Sequence, residues 1–247
     1  MRDSALTQNL LEGASNFRDL GGYRNRHGQQ VRTGQVFRSD HLGRLTTQDL
    51  ARIGQLGITH SLDFRGTGES AASPYDWPGV KRVPLSIEPT VVARMQALVA
   101  QGIVPTTEET IELMRETYRD FVNQNAEVFG RFLRHLLEEP TPQVFHCTAG
   151  KDRTGFAAAL LLSALEVDRA IIEHDYLLTN QLYRRDPAVE GQGHAHVLKV
   201  LWQVQPEFLH AALDVVEQQH GGMPDYLRGP VGLQEQDLRE LQAMLLA

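Results

Sequence analysis

The residues that could do chemistry lie together in one short stretch, residues 144–155, which reads VFHCTAGKDRTG. It contains Cys147, the only cysteine of the chain. The apolar run before this residue predicts a buried strand, and the Ala/Leu-rich run at residues 156–162 predicts a buried helix. The cysteine therefore falls on a strand-to-helix turn, where unpaired N–H groups and the helix dipole favour anions and the nucleophilic thiolate.

The other residues of this loop suit the binding of phosphate. Arg153 lies six positions after Cys147, and its planar guanidinium can grip two phosphate oxygens in the ground state and in the transition state. Thr154 offers a hydroxyl that could donate to the cysteine sulfur as it leaves, and Gly150 lets backbone N–H groups turn inward. We expect the following loop residues to bind phosphate: Thr148, Ala149, Gly150, Lys151, Arg153 and Thr154.

The order His146-Cys147-x-x-Gly150-x-x-Arg153-Thr154 resembles the signature loop of the cysteine-dependent phosphatases of the protein tyrosine phosphatase superfamily. The fuller form, HCTAGKDRTG, resembles the loop of the atypical bacterial tyrosine/serine phosphatases, some of which accept phosphoinositides. Three shorter stretches are similar to N-terminal landmarks of the same bacterial enzymes: NFRDLGG at residues 16–22, FRSD at 37–40 and DFR at 63–65. The resemblance implies a dual-specificity phosphatase that works through a phosphocysteine intermediate and needs no metal or other cofactor.

Other interpretations of the loop fit it less well. A cysteine used only as apolar filler needs no histidine before it and no Gly-x-x-Arg after it. A nucleotide P-loop requires glycine and Ser/Thr where this chain has Phe145 and Asp152. A rhodanese-like sulfur-transfer loop does not account for the His146 and Gly-x-x-Arg-Thr pattern. Two alternatives stay open, namely a phosphate-recognition module without activity and a phosphatase of a small phosphorylated metabolite.

The sequence marks the general acid less clearly than the nucleophile. The resemblance implies Asp152, inside the loop itself. Asp63, at the end of a predicted strand, is the second candidate and is expected to support the loop together with His146, whose ring would hold the loop backbone. Asp76 ranks third, because it stands in the order Asp-Trp-Pro where classical members of the superfamily have Trp-Pro-Asp.

Lys151 places a second cation in the loop, next to Asp152. Our hypothesis is that this cation favours substrates with more than one phosphate, such as phosphoinositides. The alternative is a surface lysine that its acidic neighbour neutralises.

The surrounding elements predict a single phosphatase domain over residues 1–247. Strands are expected at residues 35–39, 58–64, 80–85 and 142–146, with a hairpin or edge strand within 14–24 and a polar loop at 65–69. Helices are expected at residues 46–57, 90–102, 106–121, 127–137, 156–165, 168–183, 195–204, 206–219 and 234–246. This order predicts an α/β fold with a central, mostly parallel sheet flanked by helices and a helical C-terminal half. The resemblance implies that this fold is of the protein tyrosine phosphatase type.

Residues 88–123 stand apart as a helical insertion between the early strands and the strand that carries the cysteine. The second of its two helices begins at Thr106 with the spacing of a capping box. Two interpretations stay open for the insertion. It is either ordinary core packing, or a lid over the active site, which some members of the resembled family carry.

Composition narrows the partners and the location. The chain has 247 residues with 41% hydrophobic content and a net charge of −7, which argues against binding to nucleic acid or to anionic membranes. No run of about 18 apolar residues is present, so no stable membrane insertion is predicted. We expect a cytoplasmic protein with phosphorylated protein or phosphoinositide as substrate, since residues 1–16 lack the apolar core of a secretion signal and a lone cysteine fits a reducing compartment. Export without a signal stays open.

Overall fold

The computed structural model describes residues 10–185 and 193–247. Residues 1–9, which contain much of the segment tested for a secretion signal, lie outside the described residues. Within the described ranges, no helix is both long enough and apolar enough to cross a membrane.

A five-stranded sheet forms the centre of the described structure. The strands are β1 (Arg18–Asp19), β2 (Val36–Ser39), β3 (His60–Asp63), β4 (Lys81–Pro84) and β5 (Gln143–His146). Their order is β1-β2-β5-β3-β4, and every pair is parallel except β1 with β2. The mostly parallel sheet is therefore confirmed. Because β2, β5 and β3 run in the same direction, their carboxyl ends meet at one edge of the sheet, where open α/β folds place their ligands.

Helices cover the sheet and make up the C-terminal half of the described chain. In chain order they are α1 (Thr47–Gln55), α2 (Thr67–Ala72), α3 (Thr90–Ala100), α4 (Thr107–Gln124), α5 (Ala126–Glu138), α6 (Asp152–Ala164), α7 (Arg169–Leu177), α8 (Thr179–Leu182), α9 (Ala195–Leu201), α10 (Pro206–His220), α11 (Met223–Arg228) and α12 (Glu235–Leu245). The predicted capping boxes are present at α1, between Thr46 and Asp49, and at α4, between Thr106 and Glu109.

The strand β5 lies between two apolar clusters, because successive side chains of a strand point to opposite faces. Val144 belongs to the smaller cluster, with Phe37 and Ile53. Phe145 belongs to the larger cluster, where its ring centroid lies 4.9 Å from that of Phe132 on α5. The strand that precedes the cysteine is thus fixed on both faces by packing.

Several predicted boundaries differ from the structure. The segment predicted as a polar loop at residues 65–69 enters helix α2, whose start is capped by the Glu69 carboxylate accepting from the Gly66 N–H at 2.8 Å. Helix α6 begins at Asp152, four residues before the apolar run that predicted it. The predicted helix at 168–183 is divided at Leu178 into α7 and α8, and α11 was not predicted at all.

The two helices of the insertion are not alike. Helix α3 has no buried residue. Helix α4 buries one face and packs against α10. The buried residues of α4 are Thr110, Met114, Thr117, Tyr118, Phe121 and Val122. Of the two interpretations left open, core packing therefore describes α4.

Candidate active site

The loop predicted to carry the chemistry lies at the carboxyl edge of the sheet. Cys147 directly follows β5, and Lys151 precedes the first residue of α6. The cysteine side chain is buried, with 2% of its surface exposed. The structure thus brings the thiol and the start of α6 together, as the strand–loop–helix pattern predicted.

Gly150 makes the tight turn of the loop. Its φ is +64°, and an added Cβ would lie 2.3 Å from the carbonyl oxygen of Ser39 on the neighbouring strand β2. The Gly150 carbonyl oxygen accepts hydrogen bonds from Asn16 Nδ2 and Arg38 Nη2, both at 2.8 Å. The hydrogen bonds of Asn16 and Arg38 to the Gly150 carbonyl therefore fix the conformation of the turn.

Beneath the turn lies a buried ionic network, which we call the floor and define as Asn16, Arg18, Arg38 and Asp175. Arg18 Nε lies 3.0 Å from Asp175 Oδ1, and Arg38 Nη1 lies 2.8 Å from Asp175 Oδ2. Burial and the neighbouring Arg18 lower the pKa of Arg38 to about 10, although Asp175 opposes the change, so Arg38 stays charged at neutral pH. Two guanidinium groups share one carboxylate, which leaves an excess of positive charge under the anion site.

Arg153 is fixed by one edge of its guanidinium. Nη1 donates to Glu69 Oε2 at 2.5 Å and to the Ile87 carbonyl at 2.9 Å, and Nη2 donates to Glu69 Oε1 at 2.9 Å. Among the described residues, no acceptor lies on Nε, so the Nε–Nη2 edge is available to two phosphate oxygens. Burial lowers the pKa of Arg153, but Glu69 and the thiolate of Cys147 raise it above its ordinary value, so the group stays charged.

Glu69 was not predicted as part of the site. Burial alone would raise the pKa of its carboxyl, but the hydrogen bonds and charge of Arg153 hold it below its ordinary value. The same carboxylate accepts from the hydroxyl of Thr148. A carboxylate on α2 therefore orients both the arginine and a loop threonine. In the sequence, Glu69 was marked only by its place in the polar segment that follows DFR.

Asp152 is the first residue of α6 and is held by a pair of tyrosines. Tyr118 Oη on α4 donates to Asp152 Oδ1 at 3.0 Å and lies 2.6 Å from Tyr176 Oη on α7. Burial raises the pKa of both phenols well above the ordinary value, and the charge of Asp152 adds to the rise. The phenols therefore stay protonated. Tyr118 orients one oxygen of Asp152, and the other oxygen lies 3.8 Å from the Lys151 ammonium.

Lys151 contacts the end of α9 and also lines the cavity beside the loop. Its side chain is buried, and Nζ donates to the carbonyl oxygens of Leu201 at 2.5 Å and Gln203 at 3.4 Å. The Asp152 carboxylate is 3.8 Å away. The ammonium is thus directed towards the end of α9 and is not a solvated surface group.

His146 holds the loop backbone as a neutral ring. Its Nδ1 lies 3.1 Å from the Cys147 carbonyl, which can only accept, so Nδ1 carries the proton. Nε2 accepts from Tyr75 Oη at 2.5 Å, and that hydroxyl lies 2.6 Å from Ser61 Oγ. Burial lowers the pKa of His146 to about 4 in spite of the nearby Asp63 carboxylate.

The other two candidate acids lie in different surroundings. Asp63 is fully buried between Arg65 at 2.9 Å and Arg82 at 2.8 Å, and its Oδ1 lies 3.7 Å from His146 Nε2. Burial opposes ionisation of Asp63, but the hydrogen bonds and the charge of Arg65 hold its pKa well below the ordinary value. Such a carboxylate cannot donate a proton at neutral pH. Asp76 is exposed on the segment between α2 and β4.

A cavity of about 600 Å³ adjoins the loop. We call it the slot. Its apolar walls come from α3, from Met114 on α4 and from the end of α9. The loop residues that line it are Ala149, Lys151, Asp152 and Arg153. The apolar side chains that line it are Pro89, Val91, Val92, Met95, Val99, Ala100, Met114, Leu201 and Trp202. A substrate whose phosphate enters the loop would place the rest of its structure in this slot.

His194 and His196 lie two positions apart at the start of α9. Within the described ranges, no group of three or more His, Cys, Asp or Glu side chains is placed to hold a metal ion. His196 Nε2 instead lies 3.0 Å from the Pro105 carbonyl oxygen.

Comparison with known proteins places the chain among phosphatases. Residues 10–247 match a family described as the tyrosine phosphatase family. A protein of Cupriavidus necator, named among the tyrosine-protein phosphatases, is 34% identical over 241 residues, which cover 94% of this chain and 86% of that protein. The triple specificity protein phosphatase PtpB of Mycobacterium tuberculosis is 29% identical over 280 residues, which cover 96% of this chain and 98% of PtpB. Among solved structures, the Siw14 catalytic core aligns with a TM-score of 0.41 and 12% identity, covering 86% of this chain and 96% of that chain.

Proposed function

The chain belongs to the tyrosine phosphatase family, and on this premise we propose that it is a phosphomonoesterase whose nucleophile is Cys147. The observation that supports this most directly is the fixed guanidinium of Arg153, which keeps one hydrogen-bonding edge unoccupied beside a loop of backbone N–H groups. Such an edge suits two oxygens of a phosphoryl group. The excess positive charge of the floor favours the same ligand from below.

The first step is attack of the Cys147 thiolate on phosphorus. An S–P bond forms while the bond between phosphorus and the leaving oxygen breaks, and Asp152 gives its proton to that oxygen. The loop N–H groups and Arg153 bind the negative charge that the three equatorial oxygens carry in the transition state. Tyr118 keeps the acid in place, because it holds the other carboxylate oxygen.

The second step is hydrolysis of the phosphocysteine. Asp152, now ionised, takes a proton from water as the water oxygen attacks phosphorus, and the S–P bond breaks to release inorganic phosphate and the thiolate. We assign Thr154 the role of donor to the departing sulfur, since its buried Oγ1 makes no hydrogen bond among the described residues and its proton is available. No other proton donor or acceptor is required.

We propose phosphotyrosine and phosphoserine proteins as substrates, with phosphoinositides as a further class. The relative from Mycobacterium tuberculosis is named a triple specificity phosphatase, and a slot of about 600 Å³ with mostly apolar walls adjoins the loop. Within a single domain of residues 1–247, the part of the insertion at 88–123 that can act as a lid is α3, since its residues line the slot and none of them is buried.

The first test is phosphate release by the wild type and by Cys147→Ser over one panel of substrates. The panel contains phosphotyrosine, phosphoserine and phosphothreonine peptides, phosphoinositides, a small sugar phosphate and a generic aryl phosphate. We expect release by the wild type only, with a loss of at least about 10⁴-fold in the variant. If no substrate releases phosphate while phosphorylated ligands still bind, the chain is a recognition module. Release from the sugar phosphate alone would point to a metabolite phosphatase.

The same panel tests the general acid with two matched variants. Asp152→Asn should slow release from serine phosphates by about 10²- to 10⁴-fold, since alkoxides leave poorly without a proton. Asp76→Asn changes an exposed aspartate that ranked as a candidate and should leave the rate unchanged. Equal rates for wild type and Asp152→Asn on the serine substrates would remove Asp152 from the mechanism.

A further inference from the structure

Lys151 carries a buried ammonium that the proposed mechanism does not use. Only 4% of the residue is exposed, and its Nζ donates to the Leu201 and Gln203 carbonyls at 2.5 and 3.4 Å. A lysine is rarely buried unless acceptors compensate for the lost hydration. The acceptors here are carbonyls at the end of α9, which have no partner inside that helix.

The end of α9 forms a wall of the slot. Trp202, which follows the helix, lines the slot together with Leu201, and the Arg185 guanidinium lies 4.8 Å from the centre of its ring. Besides this ring contact, Lys151 and Asn180 both hold the segment by hydrogen bonds to its backbone. The Asn180 side chain is bonded to the N–H of Val204 at 2.9 Å and to its carbonyl at 2.8 Å.

We propose that Lys151 is a positioning residue that sets the specificity of the slot: its ammonium fastens the end of α9 to the phosphate loop, so that Trp202 forms a wall for the organic part of the substrate. The proposal rests on the proposed function, because it assigns the shape of that same site. The expectation that Lys151 binds a second phosphate is the alternative that the experiments below distinguish from it. One residue of the loop thus links the position of the phosphate to the position of the apolar wall.

The contacts explain why the ammonium stays with α9. If Lys151 turned towards a second phosphate, the Leu201 and Gln203 carbonyls would lose their charged donor. Asp152, at 3.8 Å, would also lose the nearby positive charge. Because a hydrogen bond to a charged group favours its geometry by about tenfold or more, the fastened position is the populated one.

The experiment follows Trp202 directly by fluorescence. In a common Trp77→Phe background, Trp202 is the only tryptophan of the chain. We compare Lys151→Met, which keeps the length of the side chain without its charge, with Lys199→Met, which changes an exposed lysine on α9 itself. Acrylamide quenching of Trp202 should increase severalfold in Lys151→Met and stay unchanged in Lys199→Met. Unchanged quenching in both variants would overturn the proposal.

Kinetics give the second readout. Lys151→Met should raise KM for an aryl phosphate by up to about tenfold with little change in kcat, and should affect a phosphoinositide to the same degree. Asn180→Ala, which removes the other attachment without touching the loop, should raise both KM values in the same way. A loss confined to the phosphoinositide would show that the ammonium binds a second phosphate instead.

A third measurement keeps Lys151 unchanged, so that the proposal can be tested even if Lys151→Met does not fold. The protein with Cys147→Ser and Trp77→Phe is titrated with a soluble inositol polyphosphate while the quenching of Trp202 is followed. We expect quenching to stay unchanged, or to fall where the bound polyphosphate shields the ring, because the ammonium stays on α9. A rise in quenching would mean that the polyphosphate draws Lys151 away and would overturn the proposal. This readout needs no turnover, so its outcome is independent of whether the chain proves to be an active phosphatase.

Discussion

The floor below the phosphate loop and the roof above it are built in opposite ways. The roof is α3 together with Trp202. Arg18 and Arg38 of the floor are each 1% exposed or less, although both are charged. The roof is apolar, yet Val92 and Val99 on α3 are 47% and 67% exposed. The charged floor is buried and the apolar roof is exposed. We infer that the floor holds the phosphate in a fixed position, whereas the rest of the substrate contacts a roof that is only loosely packed against the protein.

This difference has an energetic side. A buried ion pair gains little net stability over apolar packing, but the removal of one partner leaves an uncompensated charge and costs far more. The floor is therefore sensitive to the loss of a single group. The roof has few buried contacts, and segments with few buried contacts open locally at a low cost in free energy.

The largest effect is expected from breaking the floor with Asp175→Asn. The change keeps the shape of the side chain but leaves Arg18 and Arg38 without their shared carboxylate. We expect a loss of about 3–5 kcal/mol in the free energy of unfolding, as measured by urea denaturation. Phosphate release should fall as well, because Arg38 positions the Gly150 carbonyl.

The matched control is Asp225→Asn, which removes a carboxylate from an arginine pair on the surface. Asp225 lies 2.7 Å from Arg228, and both side chains are largely exposed. The denaturation midpoint of this variant should match that of the wild type. If Asp175→Asn were equally harmless, the floor would not be the sensitive part of the site and the contrast with the roof would disappear.

The sequence was informative about the loop and silent about the floor, and the reason is the distance along the chain. The chemistry of Cys147 and Arg153 depends on residues six positions apart, so their spacing is visible in the sequence. Asn16, Arg18 and Arg38 belong to stretches that support the family resemblance, but the sequence did not predict that these residues contact the loop. Asp175, which joins the two arginines, is 137 residues from Arg38 and lies in a helix whose pattern gives no sign of this contact.

The helices were likewise predicted correctly where neighbouring residues determine them and missed where distant residues do. The capping boxes at Thr46 and Thr106 are local hydrogen bonds, and both helices begin where predicted. Helix α2 was missed because it is short and contains Gly68, and because Glu69, besides capping the helix locally, contacts Arg153 84 residues away. The contrast between α3 and α4 was also invisible, since burial depends on α10, which comes much later in the chain.

The direction of Lys151 could not be predicted for a related reason. The pattern GKDR fixes the position of the backbone at the start of α6, but the choice between a substrate phosphate and the carbonyls of α9 depends on where α9 ends. Two adjacent residues of one motif, Lys151 and Asp152, accordingly point to different partners.

The smallest effect is expected from Val99→Ser in the roof, and it sharpens the comparison because stability and substrate binding should separate. Val99 is 67% exposed and lines the slot, so the free energy of unfolding should change by less than about 0.5 kcal/mol. The lost apolar contact should raise KM for an aryl phosphate by about threefold, since each buried methylene contributes about 0.8 kcal/mol at most. Val104→Ser is the control, because Val104 is 44% exposed and is not among the residues that line the slot, and neither quantity should change. A loss of stability in Val99→Ser comparable to that of Asp175→Asn would mean that α3 belongs to the frame of the protein, and the roof would then be as fixed as the floor.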